Sequence, residues 1–317
     1  MRVVARKFGQ LIPVLIIVSI LTFLLINLLP GNPVTVILGP GATPHAVAQL
    51  RHQLHLDQAL PLRYWDWLVQ TLHGNLGQSY VNDQPVTQAI AQHFPVTLEL
   101  LIYSQVIALL VSIPLGMYSA YRPNGRVDRI TTSASFAMLA IPSFILGVLL
   151  VLLFAVKIHL FPATGYTPFT QNPLENLRTL LLPSITLALS TVAVYVRVLR
   201  ADMIATLRED FVTMARAKGM PNWWILIRHA FRPSTFSLVT VGGLNVGALL
   251  GGTFIVEFIF ALPGLGFLTV QSIYQRDYLV VQACVLVVAV GYVLVNFLVD
   301  LFYPLLDPRT RHARAAV

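Results

Sequence analysis

Lysine is almost missing from this sequence: Lys7, Lys157 and Lys218 are the only three in 317 residues, and all charged residues together make up 11%. Ordinary soluble domains carry about 25% charged residues. The deficit, beside 56% hydrophobic residues, excludes a disordered chain and argues against a soluble enzyme. The net charge of +8 would suit nucleic acid only if it formed a densely basic face, and there is too little charge for one, so no nucleic-acid partner is expected. Cysteine is scarcer still. Cys284, alone and inside an apolar run, excludes a disulfide framework within the chain and any CxxC metal site.

Two further absences narrow the chemistry. An ATP-burning pump needs a GxxxxGK[ST] loop, whose backbone N–H groups and lysine neutralise phosphate charge. None of the three lysines has that context, so no ATP hydrolysis by that route is expected here. Ion-coupled transporters keep carboxylates in mid-membrane, where each costs about 2.5–3.5 kcal/mol and persists for a reason. In this chain Glu99, Glu257 and Asp300 fall near the ends of apolar runs. Each reads first as a helix-pairing carboxylate and second as a gating or path residue. His45, His52 and His55 could share a helical face, but only Asp57 stands near to complete a ligand set, so a metal site is not expected.

What is present is apolar length. A bilayer core of roughly 30 Å takes about 20 residues of helix to cross. Six runs reach that length within a few residues: 11–29, 95–121, 130–156, 179–196, 236–259 and 281–303. The first follows Arg2, Arg6 and Lys7 but has no small-x-small cleavage signal before Pro30, and reads as a retained anchor. Basic residues favour the cytoplasmic side. Sixteen fall in the N-terminus, the loop after 121, the loop 197–233 and the tail, against five elsewhere. Both termini are therefore expected in the cytoplasm of a multi-pass plasma (inner) membrane protein.

The division of the chain follows. Residues 1–29 form the N-terminus and first span, 30–93 an extracytoplasmic insertion, 94–303 a five-helix core, and 304–317 a cytoplasmic tail. Thr43-Pro44 supplies an N-cap and a proline at the first helical position within the insertion. A second amphipathic helix follows Pro61, and its Tyr64, Trp65 and Trp67 make a candidate contact patch for a delivery protein. In the fifth run Gly243, Gly247 and Gly251 recur every four residues, a row that lets helix backbones approach in lipid.

The loop 197–233 is the most informative segment. Residues 200–217 read as an amphipathic helix, Gly219 permits a bend, and Pro221 opens a short segment with Trp223, Trp224, Ile225, Ile227 and Phe231. Such a helix-glycine-helix element suits either a groove on another protein or the headgroup layer of a membrane.

The stretch Arg208-Glu209-Asp210-Phe211-Val212-Thr213-Met214-Ala215-Arg216-Ala217-Lys218-Gly219, with Ile227-Arg228-His229-Ala230 after it, resembles the EAA loop of permease subunits of binding-protein-dependent ABC importers. Similarity extends to Gly251 through Glu257, Pro263-Gly264-Leu265-Gly266, Gln275-Arg276-Asp277-Tyr278 and Asp307-Pro308-Arg309. Within that family the chain looks like the first permease of dipeptide/oligopeptide systems, a group that also includes nickel importers. Thr213 and Met214 stand where the named motif has Glu and Ala.

The resemblance implies an all-α, six-span type I importer permease (MetI-like) without catalytic residues or a metal of its own. It also implies a second, similar permease, two ATPase subunits or domains that bind ATP and Mg, and an extracytoplasmic solute-binding protein. Ala215, Arg216, Ala217, Lys218, Gly219, Trp223, Trp224, Ile227 and His229 would form the ATPase-coupling loop. Asn245, Glu257 and Asp300 are the candidates for the translocation path or its gate. The implied cargo is short peptides, with nickel or another small solute as the alternative; a secondary transporter or channel working without ATP is the reading from another class.

Overall fold

The computed structural model describes residues 2–28, 34, 38–39, 42–53 and 57–306. Among these the secondary structure is helical, apart from one isolated bridge between Gln78 and Pro85. Four helical stretches are long and apolar enough to cross a membrane: Val86–Tyr121, Pro173–Thr206, Asn222–Ile259 and Tyr278–Val299. A fifth span results if the bent pair Arg126–Ala140 and Ser143–Lys157 is counted as one. The first helix holds a shorter apolar run, Leu11–Leu24.

The chain divides into two compact units, Met1–Leu98 with Leu262–Val293 and Glu99–Ala261 with Leu294–Val317. In the first unit, α1 (Arg2–Leu28) contacts the short helix α3 (Leu60–Leu72), and α2 (Pro44–Gln53) precedes α3. The expected cap of α2 is present, with the Thr43 hydroxyl accepting from Ala46 N–H at 3.3 Å. Helix α4 (Val86–Tyr121) begins inside the segment assigned to the insertion, nine residues before the apolar run that the sequence marked from 95. Its first turns supply Val86 and Ile90 to a core with Leu265, Val280, Ala283 and Cys284. Those last residues belong to α11 (Leu265–Gln275) and α12 (Tyr278–Leu306).

The second unit is built around α7 (Pro173–Thr206), the most enclosed of the long helices. Pro173 opens it, and Asn172 caps it by accepting from Glu175 N–H at 3.2 Å. Against α7 pack α5 (Arg126–Ala140), α6 (Ser143–Leu150, continuing as a wider π-type turn Val151–Lys157) and α10 (Arg232–Ile259). Between α5 and α6 the direction changes by 104°, at Ile141-Pro142. The sequence carried this region as one apolar run; proline removes a backbone donor and cannot continue the i to i−4 ladder, so the run is broken there. Gly147 allows α6 to approach α7, because a β-carbon there would lie 3.0 Å from the Thr186 methyl group.

Residues 200–217 differ from the single helix expected of them. Helix α7 ends at Thr206, successive turns close over Arg208 and Glu209, and α8 (Asp210–Ala217) starts afresh with extended Glu209 before it.

Candidate functional site

Helix α8 is amphipathic, and one face of it is spent within the chain. Val212 and Ala215 are buried against Ile225, with Leu207 and Met220 closing the cluster. Ala215, placed in the coupling loop from sequence, thus packs its side chain inside the loop. After Ala217 the chain turns through Lys218 to Gly219, whose φ of +73° lies in the left-handed region that a β-carbon disfavours. Pro221 then precedes α9 (Asn222–Trp224), which continues as a π-type turn Ile225–Phe231 directly into α10.

The other large apolar side chains on both sides of the bend are left exposed by the described residues. Phe211 and Met214 of α8 are exposed, as are Trp223 at 59%, Trp224 at 41% and Ile227 at 53%. The two indoles meet edge to face with centroids 5.4 Å apart. Arg216, Ala217, Lys218 and Arg228 are exposed beside them, and His229 is half-buried. Aromatic surface ringed by cations is suited to an apolar cleft with acidic rims.

The path candidates are dispersed. Glu257 on α10 is fully enclosed. Asn245, half-buried on the same helix, hydrogen-bonds the hydroxyl of buried Tyr195. That hydroxyl donates to Gln105 Oε1 at 2.8 Å. Gln105 in turn lines a largely apolar cleft of about 560 Å³ with Thr240, Val246 and Leu298. The side chain of Asp300 lies outside the described residues. Gly243 sits where α10 meets α12, so close that a β-carbon would collide with Val299, whereas Gly251 faces open space. The glycine row is thus divided between packing within the chain and a free surface.

In the first unit the aromatic trio is also divided. Tyr64 and Trp67 turn toward α1, their rings 5.5 and 5.7 Å from that of Phe23, and Trp65 is exposed on the far side.

Three polar groupings stand out, and of these only the helix-pairing role of Glu99 was expected from the sequence. Arg200 holds buried Asp128 through two bonds of 2.5 and 2.8 Å, and the Asn124 N–H adds a third donor. Asp277, 2% exposed, accepts from the Ser79 hydroxyl and from Tyr80 N–H. Burial and the Asp277 charge push the Tyr80 phenol up to about 12. Glu99 accepts from Asn176 Nδ2 at 2.7 Å and from the Tyr166 hydroxyl at 3.1 Å, while Tyr103 donates to Asn176. Burial and the Glu99 charge push Tyr166 up to about 12 as well. The one sequence signal for these was an isolated acid at the end of an apolar run.

At least four membrane-length helices, with a bend between two of them that exposes aromatic and basic side chains, define a polytopic helical membrane protein. The chain belongs to the family of binding-protein-dependent transport system inner membrane components, whose model matches residues 112–312, while the family's N-terminal model matches residues 1–101. It is 41% identical over 309 residues to a putative peptide transport system permease protein of Brucella abortus, covering 98% of each chain. A probable peptide ABC transporter permease protein of Sinorhizobium fredii is 35% identical over 98% of this chain and 99% of its own. The glutathione transport system permease protein of Salmonella typhimurium is 37% identical, with 98% of each chain covered. The chain is a multi-pass inner-membrane permease component of an ABC transporter, with the MetI-like fold.

Proposed function

We propose that this permease passes short peptides from an extracytoplasmic solute-binding protein into the cytoplasm, driven by separate ATPase subunits. The observation that carries the coupling step is the exposure of Phe211, Met214, Trp223, Trp224 and Ile227 on either side of the left-handed Gly219, together with exposed Arg216, Lys218 and Arg228. An ATPase cleft with apolar walls and acidic rims fits it. Buried Val212, Ala215 and Ile225 make the bend a stiff body, so a displacement of the ATPase is passed along the π-type turn into α10. ATP and Mg are bound by the ATPases, and this chain contributes no catalytic group.

One such loop serves one ATPase site, so a second, similar permease completes the pore, with two ATPase subunits or domains beneath the pair. Six spans are assigned: α1, α4, the bent α5–α6 pair, α7, the run from α9 into α10, and α12. The distribution of basic residues puts both termini in the cytoplasm. Asn245 and Gln105 then lie beside the cleft on α4, α10 and α12 that borders the path, and Glu257 and Asp300 belong to its gate. The names of the relatives, two peptide permeases and a glutathione permease, favour peptide cargo.

Uptake of labelled dipeptides, longer peptides and nickel into vesicles holding the complete complex tests the assignment. ATP-dependent accumulation of peptide is the expected result. Accumulation of nickel alone, or of peptide without ATP, overturns it.

A further inference from the structure

Helix α3 has more apolar surface than α1 can cover. At helical spacing, Tyr64, Trp67 and Leu68 lie on the side toward α1, where the Tyr64 hydroxyl and the Ser19 hydroxyl are 2.8 Å apart and Phe23 meets both rings. Leu62, Trp65, Val69 and Leu72 form a second stripe on another side of the helix. Of these, Leu62 is 60% exposed, Trp65 63% and Leu72 76%. Arg63, Asp66 and Gln70 share the strip that remains. A helix facing bulk water on its outer side has the opposite proportions, with the polar face the wider.

Depth supplies the second observation. Ser19 and Phe23, the residues that hold α3, lie inside the apolar run Leu11–Leu24 of α1, toward its end. On that same stretch of α1, Ile17 and Leu21 are exposed. The uncovered apolar surface of α1 therefore lies at the same level as that of α3. Tryptophan favours the boundary between acyl chains and headgroups, and a helix lying there buries its apolar side among the chains.

We infer that α3 lies in the membrane–water interface, with Leu62, Trp65 and Leu72 among the lipid chains and the strip Arg63, Asp66 and Gln70 toward water. The inference rests on the assignment of α1 as a membrane span. It makes α3 an anchor that holds the insertion down on the bilayer. It also moves contact with a solute-binding protein from Trp65 to the polar strip of α3 and the turns at 73–85.

Fluorescence of the full chain in lipid nanodiscs tests this. The chain has four tryptophans, so Trp223→Phe with Trp224→Phe leaves Trp65 and Trp67, and adding Trp65→Phe gives the difference that belongs to Trp65. Lipids brominated near the carbonyl end of the acyl chain should quench the Trp65 emission about two-fold, and aqueous iodide should quench it weakly. Quenching by iodide with none by brominated lipid overturns the inference. Protection from both also overturns it, since that face would then be covered by a companion protein. Leu21→Trp in a background with the four native tryptophans replaced separates the two levels of the argument. If that probe escapes brominated lipid, the assignment of α1 as a span fails; if it is quenched and Trp65 is not, only the placement of α3 fails.

Discussion

Ser79 donates its hydroxyl hydrogen to the Asp277 carboxylate, so that residues 198 positions apart are held by one buried hydrogen bond. Tyr80 N–H reaches the same carboxylate at 3.3 Å, and the Asp277 carbonyl receives Val281 N–H in the first turn of α12. One acid thus ties the turn before α4 to the start of the last helix, all within the first unit. Asp277→Ala leaves both donors unmet in a buried place, at a cost of about 1–3 kcal/mol. We expect a lower thermal midpoint for the purified complex and easier proteolysis around residues 73–85. Asp277→Asn, which still accepts hydrogen bonds, should recover most of the loss.

Breaking the Asp128–Arg200 pair should cost more. Asp128 is 4% exposed, and its loss strands a guanidinium that is only partly in water. Removing one partner of such a pair typically costs about 3–5 kcal/mol. Asp128→Ala and Arg200→Ala should each lower the amount of folded protein extracted in mild detergent. The double variant should be no worse than the poorer single one, as expected for two groups sharing one interaction.

Gly219→Glu places a β-carbon at φ +73° and an acid between Lys218 and the aromatic patch. A left-handed backbone costs a non-glycine residue about 1–2 kcal/mol. Because no described residue other than its chain neighbours lies within 4 Å of that β-carbon, the spans should remain folded. The expected outcome is loss of ATPase association on co-purification, with normal membrane insertion. Normal ATP-driven uptake by this variant would contradict a docked bend.

Deleting residues 43–72 removes α2 and α3, and with them the contacts that Phe23 and Ser19 make with Tyr64 and Trp67. We expect peptide uptake to fall while co-purification with the ATPases is unchanged. Unchanged uptake would remove the insertion from the delivery step.

The parts legible in the sequence were those carried by local chemistry. Apolar length marked where α4, α7, α10 and α12 lie, Thr43-Pro44 marked the start of α2, and Gly219 marked the bend, each because a few neighbouring residues suffice to fix the backbone. Apolarity reports the company a segment keeps and not its direction, so the 104° break at Pro142 lay inside one continuous run. Pairings across the chain were not legible. Nothing local in Asp128, Ser79 or Asn176 names Arg200, Asp277 or Glu99 as its partner. Closeness in sequence likewise grouped Tyr64, Trp65 and Trp67 as one candidate contact patch, yet two of them turn to Phe23 and the third turns away.

The central claim, that the bend around Gly219 is where ATPase motion enters this permease, is tested most directly by a photo-crosslinking amino acid at Trp223 in the complete complex. A crosslink to the ATPase subunit whose yield changes between the nucleotide-free and ATP-bound states is the predicted result. Crosslinking to lipid alone, with no ATPase adduct in either state, would contradict it.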